Sequence, residues 1–150
     1  MRVLAIFFLA LGLLGCSKQP ASLNAEQAWI PLAPPTARVM GGFVQLNNPE
    51  DRDWTLVDVV AEDFGSAEIH SMEMQDGMMR MRRLDALTVP AGGQIQLRRG
   101  GHHLMLFDPA KTWTADANTL ITLRFSNSTG ETRELALRFT ILEDAPDHAQ

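Results

Sequence analysis

From Val39 onward the chain alternates apolar and polar residues in short runs. The runs read VMGGFVQLNN, WTLVDVVAE, SAEIHSME, MMRMRRLDALTV, GQIQLRR, HHLMLF, LITLRFSN and TRELALRFTIL. A period of two over such lengths predicts strands, because successive side chains on a strand point to opposite faces. Turn chemistry separates the runs: Asn48-Pro49, Asp76-Gly77, Pro90 to Gly93, Gly100-Gly101, Asp108-Pro109 and Thr129-Gly130. No stretch keeps a helical period over a helix's length. Seven or eight strands at this spacing predict an all-β domain, either an antiparallel sandwich or a Greek-key barrel.

One turn fixes more than the fold class. Asp76-Gly77 is the dipeptide that two-residue hairpins favour. A two-residue turn there pairs Gln75 with Met78, Met74 with Met79, Glu73 with Arg80, Met72 with Met81 and Ser71 with Arg82. The opposed charges of Glu73 and Arg80 suit that register. One face then carries His70, Met72 and Met74 beside Met79, Met81 and Arg83. The other carries Ile69, Ser71 and Glu73 beside Arg80, Arg82 and Leu84. In the run HHLMLF, His103 and Met105 share a face, and Leu104 and Leu106 make the natural core face.

The first residues are read apart from the fold. After Met1-Arg2 comes VLAIFFLALGLLG, an apolar run of thirteen residues. That is short for a membrane span and right for the core of a signal peptide. The run ends at Leu13-Leu14-Gly15-Cys16, which resembles a bacterial lipobox, with Cys16 as the lipidated residue. Ser17 after it turns the expectation toward the outer membrane. The expected organisation is a signal peptide over 1–15, a lipidated terminus and tether over 16–26, one domain over 27–142 and a flexible tail over 143–150. Removing residues 1–15 from 150 leaves 135, and the loss of Arg2 with no acid takes the formal charge from −5 to −6. An acidic chain without a basic block is a poor nucleic-acid binder. Cys16 is the single cysteine, so no internal disulfide, cysteine zinc site or CxxC redox pair is available.

Five of the eight methionines fall within residues 69–81. Methionine is ordinarily core filler. Two imidazoles with two or more thioethers and no thiolate, however, make a soft donor set suited to Cu(I). Calcium and magnesium would want a carboxylate cluster, which is missing from these runs. A thioether also needs no deprotonation to bind and cannot be lost to a disulfide.

The spacing of these residues resembles a known family, the periplasmic copper chaperones called PCu(A)C. Its pattern is His, ten residues, Met, twenty-one residues, His, one residue, Met. His70, Met81, His103 and Met105 stand at those positions, which selects His103 over His102. The flanks AWIPLAPP, GGFVQLNNP, HSMEMQDGMMRM and VPAGGQIQLRRGGHHLML resemble the family as well, over roughly residues 27–142. The resemblance implies a cupredoxin-like antiparallel Greek-key β-sandwich. It implies one Cu(I) per chain, held by His70, Met81, His103 and Met105 at an exposed site, and delivery to respiratory oxidase, commonly its Cu(A) centre. The family's occasional His/Met-rich tail is not matched, since His148 alone stands there. The lipid anchor departs from the soluble members and implies action near a membrane.

The expectation is therefore a monomeric periplasmic Cu(I) carrier, anchored through its lipid. It would pass copper by ligand exchange to an oxidase subunit or another copper chaperone. Met72 is an auxiliary ligand candidate, and Met74, Met78 and Met79 read as packing or a soft rim. Arg80, Arg82, Arg83, Arg98 and Arg99 form a local basic patch. A solvated strand face is its plain reading. A docking surface for an acidic partner, with Arg80, Arg82, Arg98 and Arg99, is its functional one. No enzyme is expected: a blue-copper site needs a thiolate, and no nucleophile motif is present. Copper storage or tolerance, or a structural surface lipoprotein without metal, are the competing roles.

Overall fold

The computed structural model describes residues 22–145. The expected signal peptide, the Cys16 lipidation site and the end of the tail from residue 146 lie outside the described residues. Ten strands form: β1 (Asn24–Pro31), β2 (Val39–Asn48), β3 (Trp54–Ala61), β4 (Phe64–Gln75), β5 (Met78–Leu84), β6 (Leu87–Val89), β7 (Gly93–Leu97), β8 (His103–Pro109), β9 (Asn118–Ser126) and β10 (Thr132–Leu142). They run in the order β5-β4-β8-β2-β1-β10-β9-β3-β6, with β7 also on β2. The path folds over because β2 serves two layers. Its first half, Val39–Gly42, pairs with β8, and its second half, from Val44, pairs with β7.

The period of two decides what lies between the layers. On β2, Met40, Val44 and Leu46 point inward; on β8, Leu104 and Leu106 do so, as the sequence predicts. Trp54 and Leu56 of β3, Ile121, Leu123 and Phe125 of β9, and Phe139 and Ile141 of β10 complete one continuous core. At about 25 cal/mol per Å² of apolar surface removed from water, such a core is the dominant stabilising contribution.

Three expectations change. Among the described residues the strand count is ten, because β1 precedes the expected runs and MMRMRRLDALTV is two strands: β5 pairs with β4 and β6 with β3, so the chain changes layers at Asp85-Ala86. The sheet is not wholly antiparallel. β1 runs parallel to β10, through Trp29–Thr140, Ile30–Ile141 and Pro31–Leu142. A parallel pair needs a long crossover, and nearly the whole domain lies between these two strands. Finally, the tether ends earlier than residue 26. Asn24, Ala25 and Glu26 pair with Asn47, Leu46 and Gln45, and Leu23 is buried.

Candidate metal centre

The hairpin of β4 and β5 is the base of the site. Its turn residues Asp76 and Gly77 both have positive φ, 52° and 78°, as a type I′ turn requires. That turn sets the predicted register throughout, from Gln75–Met78 to Met72–Met81 and on to His70–Arg83. On its other side β4 pairs with β8, placing His70 opposite His103 and Glu68 opposite Met105. Since facing residues share a side of the sheet, His70, Met72, Met81, His103 and Met105 all lie on the face turned away from the core. His70 is central. His103 is its direct neighbour, with ring centroids 5.9 Å apart. Met81 and Met105 occupy its two diagonals, one on each flanking strand, within the reach of long side chains.

The two imidazoles are held by partners that fix which nitrogen is free. His103 Nδ1 lies 3.0 Å from the Gly101 carbonyl. A carbonyl can only accept, so Nδ1 donates and Nε2 keeps a free lone pair. Gly101 is placed by the tight turn before β8, where Gly100 has φ +73° and Met72 N donates to Gly101 O at 3.1 Å. His70 uses the other nitrogen. Its Nε2 lies 2.8 Å from Glu68 Oε2, and Glu68 Oε1 is 3.0 Å from Arg83 Nη1. The carboxylate accepts, so Nε2 donates, and His70 Nδ1 is buried without a partner. A metal-binding histidine ordinarily donates its second ring N–H to a carboxylate or a carbonyl. Each of these two histidines has one such bond made and one lone pair open.

Burial grades the face. His103 is 5% exposed and the His70 side chain 12%, whereas Met81 is 50% exposed and Met74 67%. The imidazoles are therefore fixed in the sheet, and the thioethers at its β5 edge stand in solvent with Met78 and Met79. Among the described residues no group of three or more His, Cys, Asp or Glu is placed to hold a metal ion. The thioethers of Met81 and Met105 are the soft donors that share this face with the two imidazoles.

The structure places the four docking candidates on two elements. Arg80 and Arg82 lie on the reverse side of the hairpin, opposite Glu73 and Ser71. Arg98 and Arg99 sit in the turn between β7 and β8, with Arg99 stacked over Trp29 at 5.5 Å. Sequence reasoning passed over Glu68. Its position two residues before His70, hence on the same strand face, was the available signal.

The profile of a family described as "Putative lipoprotein LpqE-like" matches residues 23–137. The chain belongs to this LpqE-like family. Among curated relatives, the LpqE-like chain is 27% identical to "Uncharacterized protein RP573" of Rickettsia prowazekii, over 73% of its own length and 62% of the relative's. It thus spans less than two thirds of that protein. It is 24% identical to "Putative lipoprotein Lxx21020" of Leifsonia xyli, over 91% and 87% of the two lengths. Among solved structures, it is similar to the apo PCuAC domain from PmoF1, with TM-score 0.66 and 25% identity over 84% of this chain and 96% of that one. It is also similar to CuI-DR1885 from Deinococcus radiodurans, with TM-score 0.64 and 25% identity over 87% and 84%. The copper-bound PCuAC domain from PmoF2, at 21% identity and TM-score 0.66, shares the fold over 83% of this chain and 95% of that one. The LpqE-like chain therefore has the cupredoxin-like fold of PCuAC domains, some of which were solved with copper.

Proposed function

We propose that this protein is a Cu(I) carrier outside the cytoplasm, binding one ion through His70, Met81, His103 and Met105. The observation that carries the reading is the pair of oriented imidazoles. Each has one nitrogen committed to an acceptor and the other left open, and both stand on one face with thioethers on the diagonals. That donor set suits a soft monovalent ion. Buried histidines supply a fixed half of the site, and the exposed Met81 supplies an exchangeable half. A recipient's donor enters as the thioether leaves, which is transfer without turnover. Similarity to PCuAC domains supports delivery to a respiratory oxidase copper site as the task. The lipoprotein descriptions in the family, together with Cys16 in its lipobox-like setting, support anchoring at a membrane facing the periplasm.

The test is an anaerobic Cu(I) titration against a competing chromophoric chelator, comparing wild type with His103→Ala and Met81→Leu. One tight equivalent, lost or much weakened in both variants, is the expected result. Binding indifferent to both changes would sink the reading. Binding also weakens in acid, because a protonated imidazole has no lone pair to give.

A further inference from the structure

The reverse side of the β4–β5 hairpin holds a feature the copper face does not use. A groove of about 520 Å³ opens between β4, β7 and the turn before β8, lined by Ser71, Met72, Glu73, Arg98, Gly101 and His102 among others. Two polar atoms at this groove are buried without a partner, Ser71 Oγ and His102 Nδ1. Ser71 is 1% exposed. A buried polar group without a bond forfeits its hydration for no return, so the wall of this groove carries two unmet hydrogen-bonding groups just beneath its surface.

Charge says which ligand. Among the described residues, Arg38, Arg52, Arg83, Lys111, Arg124 and Arg133 each have a carboxylate partner. Arg80, Arg82, Arg98, Arg99 and Arg138 have none. Three of these five, Arg80, Arg82 and Arg98, thus stand at or beside this groove of an otherwise acidic chain. Arg98 lines the groove, and Arg82 and Arg80 stand opposite Ser71 and Glu73 on the same side of the ribbon. Arg80 and Arg82 are two residues apart on a strand, so their stems repeat at about 7 Å. An extended polypeptide presents alternate side chains at that same repeat.

We propose that this groove binds an extended acidic segment of a partner protein. A carboxylate of the segment reaches Arg98, and further acids pair with Arg82 and Arg80. Glu73 is the one acid lining the groove, and Arg80, opposite it on β5, offsets its charge. An anionic bilayer fits poorly: the site is concave, and Asp76 at the hairpin tip would meet the headgroups first. A second copy of the hairpin would oppose arginine with arginine.

The experiment uses the full chain, metal-free and in non-ionic detergent, so that its outcome is independent of copper binding. The probe is a fluorescein-labelled peptide alternating Glu and Ser over seven residues, with a Lys-for-Glu peptide beside it, read by anisotropy. The Glu peptide is expected to bind, and to weaken by about tenfold between low and physiological salt. Arg82→Glu and Arg98→Glu are each expected to weaken it by about tenfold. Arg138→Glu, an equally unpaired arginine on β10, leaves it unchanged. Equal binding of the two peptides would overturn the proposal, and so would losses no larger than that of Arg138→Glu. Displacement of the Glu peptide by micelles doped with phosphatidylglycerol, at lipid levels where neutral micelles do nothing, would overturn it in favour of a lipid surface.

Discussion

Two clusters of buried and partly buried polar groups lie at different places in this molecule, and they are finished to different degrees. At the start of the domain, Glu50 accepts from Leu23 N at 3.0 Å, from Trp54 Nε1 at 3.1 Å and from Arg133, whose guanidinium also stacks over Trp54 at 4.3 Å. Every donor aimed at this carboxylate is used. On β4 and the turn before β8, by contrast, His70 Nδ1, Ser71 Oγ and His102 Nδ1 are buried with no partner. The first cluster ties β1, β2's end, β3 and β10 together. The second keeps lone pairs and a hydroxyl unspent beside exposed thioethers and unpaired arginines. A closed polar cluster belongs to the fold; an open one has room for something the chain does not itself contain.

The sharpest way to break that contrast is to remove the imidazole that faces His70 across the open cluster. His103→Ala is expected to lower Cu(I) affinity by about a hundredfold or more, near 2.7 kcal/mol, in chelator competition. Removing the centre of the closed cluster should instead be felt in stability. Glu50→Ala strands a guanidinium, an indole N–H and the Leu23 amide, and is expected to lower unfolding free energy by about 2 kcal/mol in urea titration. Its copper affinity should be unchanged.

Acid should act on the same closed cluster. Burial alone would raise the Glu50 carboxyl, but the bonds from Leu23, Arg133 and Trp54 hold it below its ordinary value of 4.5. The Lys111 ammonium, opposed by burial and helped by Thr119, likewise holds Asp63 below 3.8. A carboxyl lowered in the folded state binds protons more readily when unfolded. The stability it contributes is therefore present in full well above those ordinary values. It is lost as pH falls from near 4.5 down through the lowered folded values. Thermal melts of wild type and Glu50→Ala should differ near neutrality and converge in that acid range.

How far the sequence carried each cluster differs for physical reasons. The open face was legible because a strand's period and one Asp-Gly turn determine which side chains share a side; the pairing of Met72 with Met81 needs no long-range information. The approach of His70 to His103 is longer in range, and no local rule sets it. There the family spacing did what periodicity could not. The parallel pairing of β1 with β10 was invisible, since it joins the two ends of the domain, and the polar run that includes Asn24 to Glu26 made the start of an interior strand read as tether. The Glu50 cluster was equally hidden, because its members come from positions 23, 50, 54 and 133 with no periodic relation.

Glu68 sits between the two kinds of cluster. It is satisfied by Arg83 and by His70, yet its effect is to leave His70 Nδ1 free. Glu68→Ala should leave stability nearly unchanged, since Arg83 is well exposed, and weaken Cu(I) by about tenfold, the usual cost of losing an outer partner of a ligand.

The smallest effect makes the finest distinction. Ser71 is as buried as any residue of the closed cluster, and deleting a buried hydroxyl that makes a bond would cost about 1 kcal/mol or more. Its Oγ makes none, so Ser71→Ala removes a desolvated group without stranding a partner. Unfolding free energy is expected to stay within about 0.5 kcal/mol of wild type, or to rise. A loss as large as that of Glu50→Ala would show that the hydroxyl is engaged in the free protein, and the open cluster would then be closed like the other.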